Sequence, residues 1–164
     1  MVITEREWAA ARSVTRRSVR GALHCSIAST NADGSPHVTP IGSLMLGSVG
    51  CAIYFDVFNV RLAENVESRP EVAVLAVDSG RSLWLPALVR GEFARPPGIR
   101  LVGTVGGRRP STAEEVARFH RVVGPLLRTR GGATLWRSLP VVRDVTVESI
   151  DHLRMGSLTP GVRT

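Results

Sequence analysis

The sequence predicts a mainly β (α+β) fold: six or seven antiparallel strands wound into a closed or half-closed barrel, with about three flanking helices. Three observations predict it. Short apolar, β-branched segments recur along the chain between turns rich in Gly, Asn and Asp. Consecutive strands joined by tight turns pair antiparallel, and closure of such a meander removes exposed edges. Amphipathic stretches with N-cap signatures interrupt the strands at only a few places.

Each element has its own justification. Thr4-Glu5-Arg6-Glu7 is a capping box, with Thr4 as N-cap and Glu7 reaching back, and it opens a helix over residues 4–20. Trp8, Ala11, Thr15 and Val19 recur on one face, and Gly21 ends it. Residues 22–30 and 36–46 read as a hairpin around the Asn31-Ala32-Asp33-Gly34 turn. After a turn at residues 47–50, residues 51–58 form a third strand. Asn59 caps a short helix over 59–68 that turns Leu62 and Val66 to the sheet; Arg69-Pro70 closes it, because proline disfavours helical geometry in the residue before it. Residues 71–77 read as a fourth strand, and residues 81–93 as a long fifth one, bent at Pro86. Residues 95–98 form a stiff Pro-Pro loop before a sixth strand at 99–105. Ser111/Thr112 with Glu114/Glu115 is a second capping box. It opens a helix over residues 113–128 with Val116, Phe119, Val122, Val123 and Leu127 on its buried side. Residues 129–134 read as a Gly-rich loop, 141–150 as a closing strand, and the tail after Met155 as loose.

At 164 residues the chain is read as a single domain: N-terminal helix 4–20, barrel 21–110 and 141–150, inserted helix about 113–128. A 43% hydrophobic content suffices for a core and excludes a disordered chain. No apolar run approaches the roughly 20 residues of a membrane span, and the N-terminus is not an apolar leader, so a soluble, cytoplasmic protein is expected. Cys25 and Cys51 make no disulfide framework and are expected to be buried as small hydrophobes. His24, His37, His120 and His152 lack ligand spacing, which argues against a metal site. The net charge is +7, and all 21 basic residues are Arg. Lysine Schiff-base chemistry is therefore excluded, while forks for phosphate or carboxylate abound. The arginines are scattered and only 5% of residues are aromatic, so charge alone does not make a nucleic-acid reader.

The segment with the most chemical information is residues 53–65, where a strand runs directly into a helix with Arg61 in its first turn. A helix N-terminus offers free N–H groups and positive potential, and a guanidinium beside it suits a phosphate. A solvated helix end is the alternative reading of Arg61. His37 is a candidate acid/base group on the second strand. His24 is read as a core or edge residue, and Trp8 and Trp136 as packing anchors. The Gly-rich basic run at residues 103–109 lacks the spacing of a phosphate loop and reads as a strand end.

Taken together, DGSPHVTPIGSL followed by AIYFDVFNVRLAENVESRPEVAVLAVD resembles the pyridoxamine 5′-phosphate oxidase-like family of FMN-binding split barrels, over roughly residues 20–110. Asp33, Gly34, Pro36 and Pro40 match its hairpin pattern; Asn65, Pro70, Val72, Ala73, Val74 and Leu75 match the run that follows the short helix. The resemblance implies a split β-barrel and a flavin. Arg61 would hold its phosphate with Asn59 and Val60. Val38, Thr39, Pro40 and Ile41 would lie beside the ring, and Phe55 and Asp56 beneath the ribityl chain and phosphate. It also implies a homodimer with the cofactor in the dimer groove, approached by Trp84 and Arg90 of the second subunit. Three departures stand out. Asp56 replaces a frequent Ser or Thr, and a carboxylate repels phosphate unless an Arg neutralises it. Leu62 replaces a second basic residue. The C-terminal Arg-x-His pattern is absent, since residues 151–155 read DHLRM. Pyridoxamine phosphate oxidation itself is therefore not expected. The implied function is an FMN-dependent oxidoreductase acting on a small molecule. A deazaflavin-dependent reductase and a non-enzymatic flavin or haem binder are the alternatives.

Overall fold

The computed structural model describes residues 2–160. Its strands are Cys25–Thr30 (β1), Pro36–Ile41 (β2), Met45–Leu46 (β3), Cys51–Phe55 (β4), Glu71–Val77 (β5), Gly98–Pro110 (β6) and Val141–His152 (β7). Its α-helices are Glu5–Ala22 (α1), Val60–Ser68 (α2), Arg81–Arg90 (α3), Ala113–Val123 (α4) and Arg130–Trp136 (α5). Every strand pairs antiparallel, in the order β2-β1-β5-β6-β7-β4-β3. The two edges of this sheet, β2 and β3, are consecutive in the chain and separated only by residues 42–44. So short a link forces the sheet to curl until its edges approach, which is the split-barrel architecture the sequence predicts.

Alternation along the strands sorts the core. Ile27, Val72, Val74, Ala76, Leu101, Val145 and Val147 are buried in one cluster, together with Ala52 and Tyr54 of β4. Trp8, Ala11, Val14 and Val19 of α1 and Leu62 and Val66 of α2 close over it. Phe55 and Val142 belong to the opposite parity. They pack with Met45, Phe119, Val123 and Leu139 in a second cluster, which fastens α4 and the chain after α5 to the sheet. Phe55 and Phe119 lie 5.5 Å apart, in the range of a favourable aromatic pair. Both capping boxes form: Thr4 with Glu7, and Thr112 with Glu115.

Several expectations are corrected. Residues 81–90 are the helix α3, not a strand; Pro86 sits inside it. Trp84 and Arg90 thus belong to a helical lobe, where Leu83, Ala87 and Phe93 form a third buried cluster. The expected strand at residues 36–46 is broken into β2 and β3, because Ser43 leaves the ladder and binds the backbone of Phe55. The first helix continues past Gly21 to Ala22 and is capped by Leu23 at φ 63°. The helix predicted over 113–128 ends at Val123, continues as a 3-10 turn through Gly124–Arg128, and gives way to α5 where a loop was expected. Cys51 is exposed rather than buried. The tail is anchored as far as Leu158, whose carbonyl accepts from the Phe93 N–H at 2.8 Å. Residues 161–164 of the expected loose tail lie outside the described residues. No helix among the described residues is long and apolar enough to cross a membrane.

Candidate functional site

The junction between β4 and α2 is the centre of the site. β4 ends at Phe55; Asp56-Val57-Phe58 link it to α2; Asn59 stands at the N-cap of that helix. No side chain caps this helix, and Asn59 itself makes no capping bond. The first-turn N–H groups are therefore left to other acceptors.

Two concave spaces meet here. The first is an apolar slot of about 230 Å³. Pro40, Gly42 and Ser43 bound it from the strand edge, Phe55, Val57, Phe58 and Asn59 from the β4–α2 junction, and Trp136 and Leu139 from the helical insert. Gly42 is a close approach: a Cβ there would stand 2.8 Å from the Leu23 carbonyl and 3.8 Å from the Trp136 indole nitrogen. β2 is a sheet edge. A proline on an edge strand turns its missing N–H outward, so period-two geometry directs the Val38 N–H and C=O outward with Pro36 and Pro40. The slot thus has apolar walls and unpaired backbone groups near its rim.

The second space is a charged recess of about 350 Å³, bounded by Asp56, Val60, Ala63, Glu64, Glu67, Arg108 and Arg143. Phe58 and Asn59 line both spaces. Arg143 is the anchor of the recess. Its side chain is 1% exposed; Nε donates to Asp56 Oδ2 at 2.8 Å, Nη2 to Glu67 Oε1 at 2.6 Å, and Nη1 to the Gly106 carbonyl at 3.1 Å. Burial works against its charge, but the two carboxylates outweigh that and hold the guanidinium firmly protonated. Arg108 Nε also reaches Asp56, at 3.1 Å, with about half of its side chain exposed. Asp56 is therefore neutralised by two arginines, the condition under which a carboxylate is compatible with a nearby phosphate. Tyr54 lies on the buried face; burial and then the Asp56 charge push its phenol above the usual range, and its hydroxyl has no hydrogen-bond partner among the described residues.

Arg61 points elsewhere. Its side chain is 65% exposed, 3.7 Å from Glu64, and it lines an open recess of about 470 Å³ with Asn31, Ala32, Asp33 and His37. Asn65 ties this hairpin turn to α2 through Ser29 and Asn31, each at 3.0 Å, and Arg69 donates to the Asn31 carbonyl. Asn65 of the family pattern is thus a strut.

Of the residues singled out in the sequence, Pro40, Phe55 and Asn59 converge on the slot, and Asp56, Asn59 and Val60 on the charged recess. Val38 and Thr39 stand on the edge strand; Ile41 is buried in the barrel. Trp84 stands apart: its indole N–H donates to the Asp78 carbonyl at 2.6 Å, and its ring packs edge-on against Phe93. Sequence reasoning missed Arg143, Arg108, Glu67, Gly42 and Phe58. Arg143 carried a readable signal, because it shares the inward parity of Val145 and Val147 on a strand. Among the described residues no cluster of His, Cys, Asp and Glu could hold a metal ion.

The family described as pyridoxamine 5′-phosphate oxidase matches residues 14–135. No curated protein matches the sequence. Three solved structures show the range of similar folds. An FMN-binding protein from Syntrophomonas wolfei subsp. wolfei superposes with a TM-score of 0.63 at 12% identity, covering 92% of this chain and 89% of that one. An F420 reductase gives 0.57 at 17%, covering 85% and 94%. The heme storage protein HutZ from Vibrio cholerae gives 0.53 at 14%, covering 84% and 89%. At such identities these likenesses establish the fold.

Proposed function

The chain belongs to the pyridoxamine 5′-phosphate oxidase family, and from that premise we propose that it binds a flavin, FMN in the first instance, as an oxidoreductase acting on a small molecule. The observation that carries this reading is the junction of the apolar slot with the charged recess along Phe58 and Asn59. A planar apolar ring joined to an anionic tail has that bipartite chemistry. Pro40, Phe55, Phe58 and Trp136 would hold the ring, with outward backbone groups of β2 meeting its polar edge. The uncapped first turn of α2, Asn59, Val60 and the unengaged N–H groups of Arg108 would receive the phosphate, and Arg61, exposed and 3.7 Å from Glu64, would turn from the neighbouring recess to join them. A bound flavin supplies reversible two-electron transfer; the chain's own part is to bind, orient and exclude water.

Exposed apolar residues around the slot, Leu23, Val38, Val60 and Leu135, support a second copy closing over it as a homodimer. Trp84, held inside the α3 lobe, offers no free ring to such a groove. A deazaflavin is the second reading, favoured by the +7 charge, which suits an acidic tail, and by the F420 reductase among the similar folds. Haem is the third reading, with His37 at the open recess beside Arg61 as the nearby imidazole and a heme storage protein among the similar folds.

The absorbance spectrum of the purified protein tests this reading, together with titration by FMN and a deazaflavin. Flavin-yellow or deazaflavin bands, or saturable quenching of added ligand, are expected. A colourless protein that binds neither ring contradicts the proposal, and a Soret band replaces it with haem binding.

A further inference from the structure

Phe58 combines three properties that the fold itself does not explain. Its backbone lies at φ 69°, in the left-handed region; Leu23 is the only other non-glycine residue there among those described. Leu23 caps the end of α1, where that conformation is routine. Phe58 caps nothing: it precedes the N-cap of α2. Elsewhere the chain fills left-handed positions with glycine, at Gly34, Gly50, Gly91, Gly124 and Gly156. A glycine at 58 would relieve the conformational cost, so the aromatic side chain is retained against it.

Packing does not account for the side chain either. It is 68% exposed and belongs to none of the three buried clusters. What it does touch is the boundary of the site, because it is one of two residues that line both the apolar slot and the charged recess.

We infer that Phe58 is a ligand-positioning residue: a strained aromatic wedge whose ring packs on the planar ring of the bound molecule and separates it from the anionic tail. The inference rests on the flavin-site reading above and names the residue that orients the ring there. An exposed aromatic of this kind recovers its unfavourable exposure only when a planar ligand covers it. The side chain therefore contributes to affinity for the ring and nothing to the stability of the free protein.

The test is a titration of wild type, Phe58→Ala, Phe58→Gly and Phe58→Trp with riboflavin and with FMN, read by flavin fluorescence, alongside melting curves and light scattering of each variant. The Ala and Gly variants are expected to weaken both ligands roughly tenfold, the scale of one aromatic stacking contact. The Trp variant retains affinity, and the Gly variant melts at or above the wild-type temperature. The loss is the same for riboflavin and FMN, since the contact is with the ring. Unchanged affinity in Phe58→Ala overturns the inference while leaving the flavin site standing. A lowered melting temperature, or dissociation of a dimer, overturns it by making Phe58 a packing or interface residue. Wild-type protein that binds neither flavin sinks the site reading itself and the inference with it.

Discussion

Two buried aspartates in this molecule are each paired with two arginines but stand in opposite settings. Asp78 is held by Arg17 Nε at 2.7 Å and Arg95 Nη2 at 3.1 Å; Asp56 is held by Arg143 Nε at 2.8 Å and Arg108 Nε at 3.1 Å. Asp78 also accepts from the Gly80 N–H at 3.0 Å and sits at the foot of α3, where it ties that helix to α1. None of the three concave spaces described above reaches it. Asp56 faces a recess of about 350 Å³ beside an uncapped helix. A carboxylate–arginine cluster thus marks a site through the space it faces, since the pairing is the same in a strut.

Removing the cation shared by Asp56 and Glu67 at the recess has the largest expected effect. Arg143→Met leaves Asp56 and Glu67 without their main partner, and a buried pair broken from one side costs about 3–5 kcal/mol. Urea denaturation is expected to show that loss, against a smaller one for Arg95→Met at the more exposed strut. Equal losses at the two clusters would erase the distinction.

Ligand binding sharpens it next. Arg61→Ala is expected to weaken FMN by about 1.5–3 kcal/mol, the scale of a charge-assisted hydrogen bond, and to leave riboflavin unchanged. Stability should stay within about 0.5 kcal/mol, because the side chain is exposed and paired only distantly. Equal loss for both ligands, measured by fluorescence titration, would mean that Arg61 does not act on the phosphate.

Asp78→Asn is expected to cost about 1–3 kcal/mol and to leave flavin affinity intact. Burial raises the Asp78 carboxyl, but the Gly80 N–H and the Arg95 and Arg17 guanidinia outweigh it, and the group is held below the ordinary carboxylate range. Its contribution is therefore complete above the unfolded value of about 3.9 and disappears as pH falls through the lower folded value. Melting curves between neutral and strongly acidic pH should show a decline that Asp78→Asn flattens. An identical decline in the variant would remove Asp78 as its source.

The smallest effect concerns the thiols. Cys51 is exposed, whereas burial pushes the Cys25 thiol up to about 11. Maleimide at mildly alkaline pH should label Cys51 in the native protein and Cys25 only after unfolding.

Much of this was legible in the chain. The hairpin, the aromatic strand into α2 and both capping boxes are local features, encoded within a few residues of one another. The β5–α3 region was misread for a physical reason. Leu83 and Ala87 face inward while Leu85, Leu88 and Val89 are exposed, so this helix is apolar on both sides and its period is blurred. Pro86 then looked like a strand bulge. Gly131-Gly132 suggested a loop, yet a Cβ at Gly132 would collide with the Leu126 carbonyl, so close packing rather than flexibility calls for glycine there. The recess could not be read at all from local pattern, because Asp56 and Arg143 are 87 residues apart and only the pairing of β4 with β7 brings them together.

The central claim is that a flavin ring lies between the β2 edge, Phe58 and Trp136, with its tail turned to the start of α2. A crystal structure of the protein soaked with FMN measures this directly. The account predicts ring density in contact with Pro40, Phe58 and Trp136 and phosphate density within reach of α2. Flavin density at any other surface, with Phe58 still facing solvent, would contradict it.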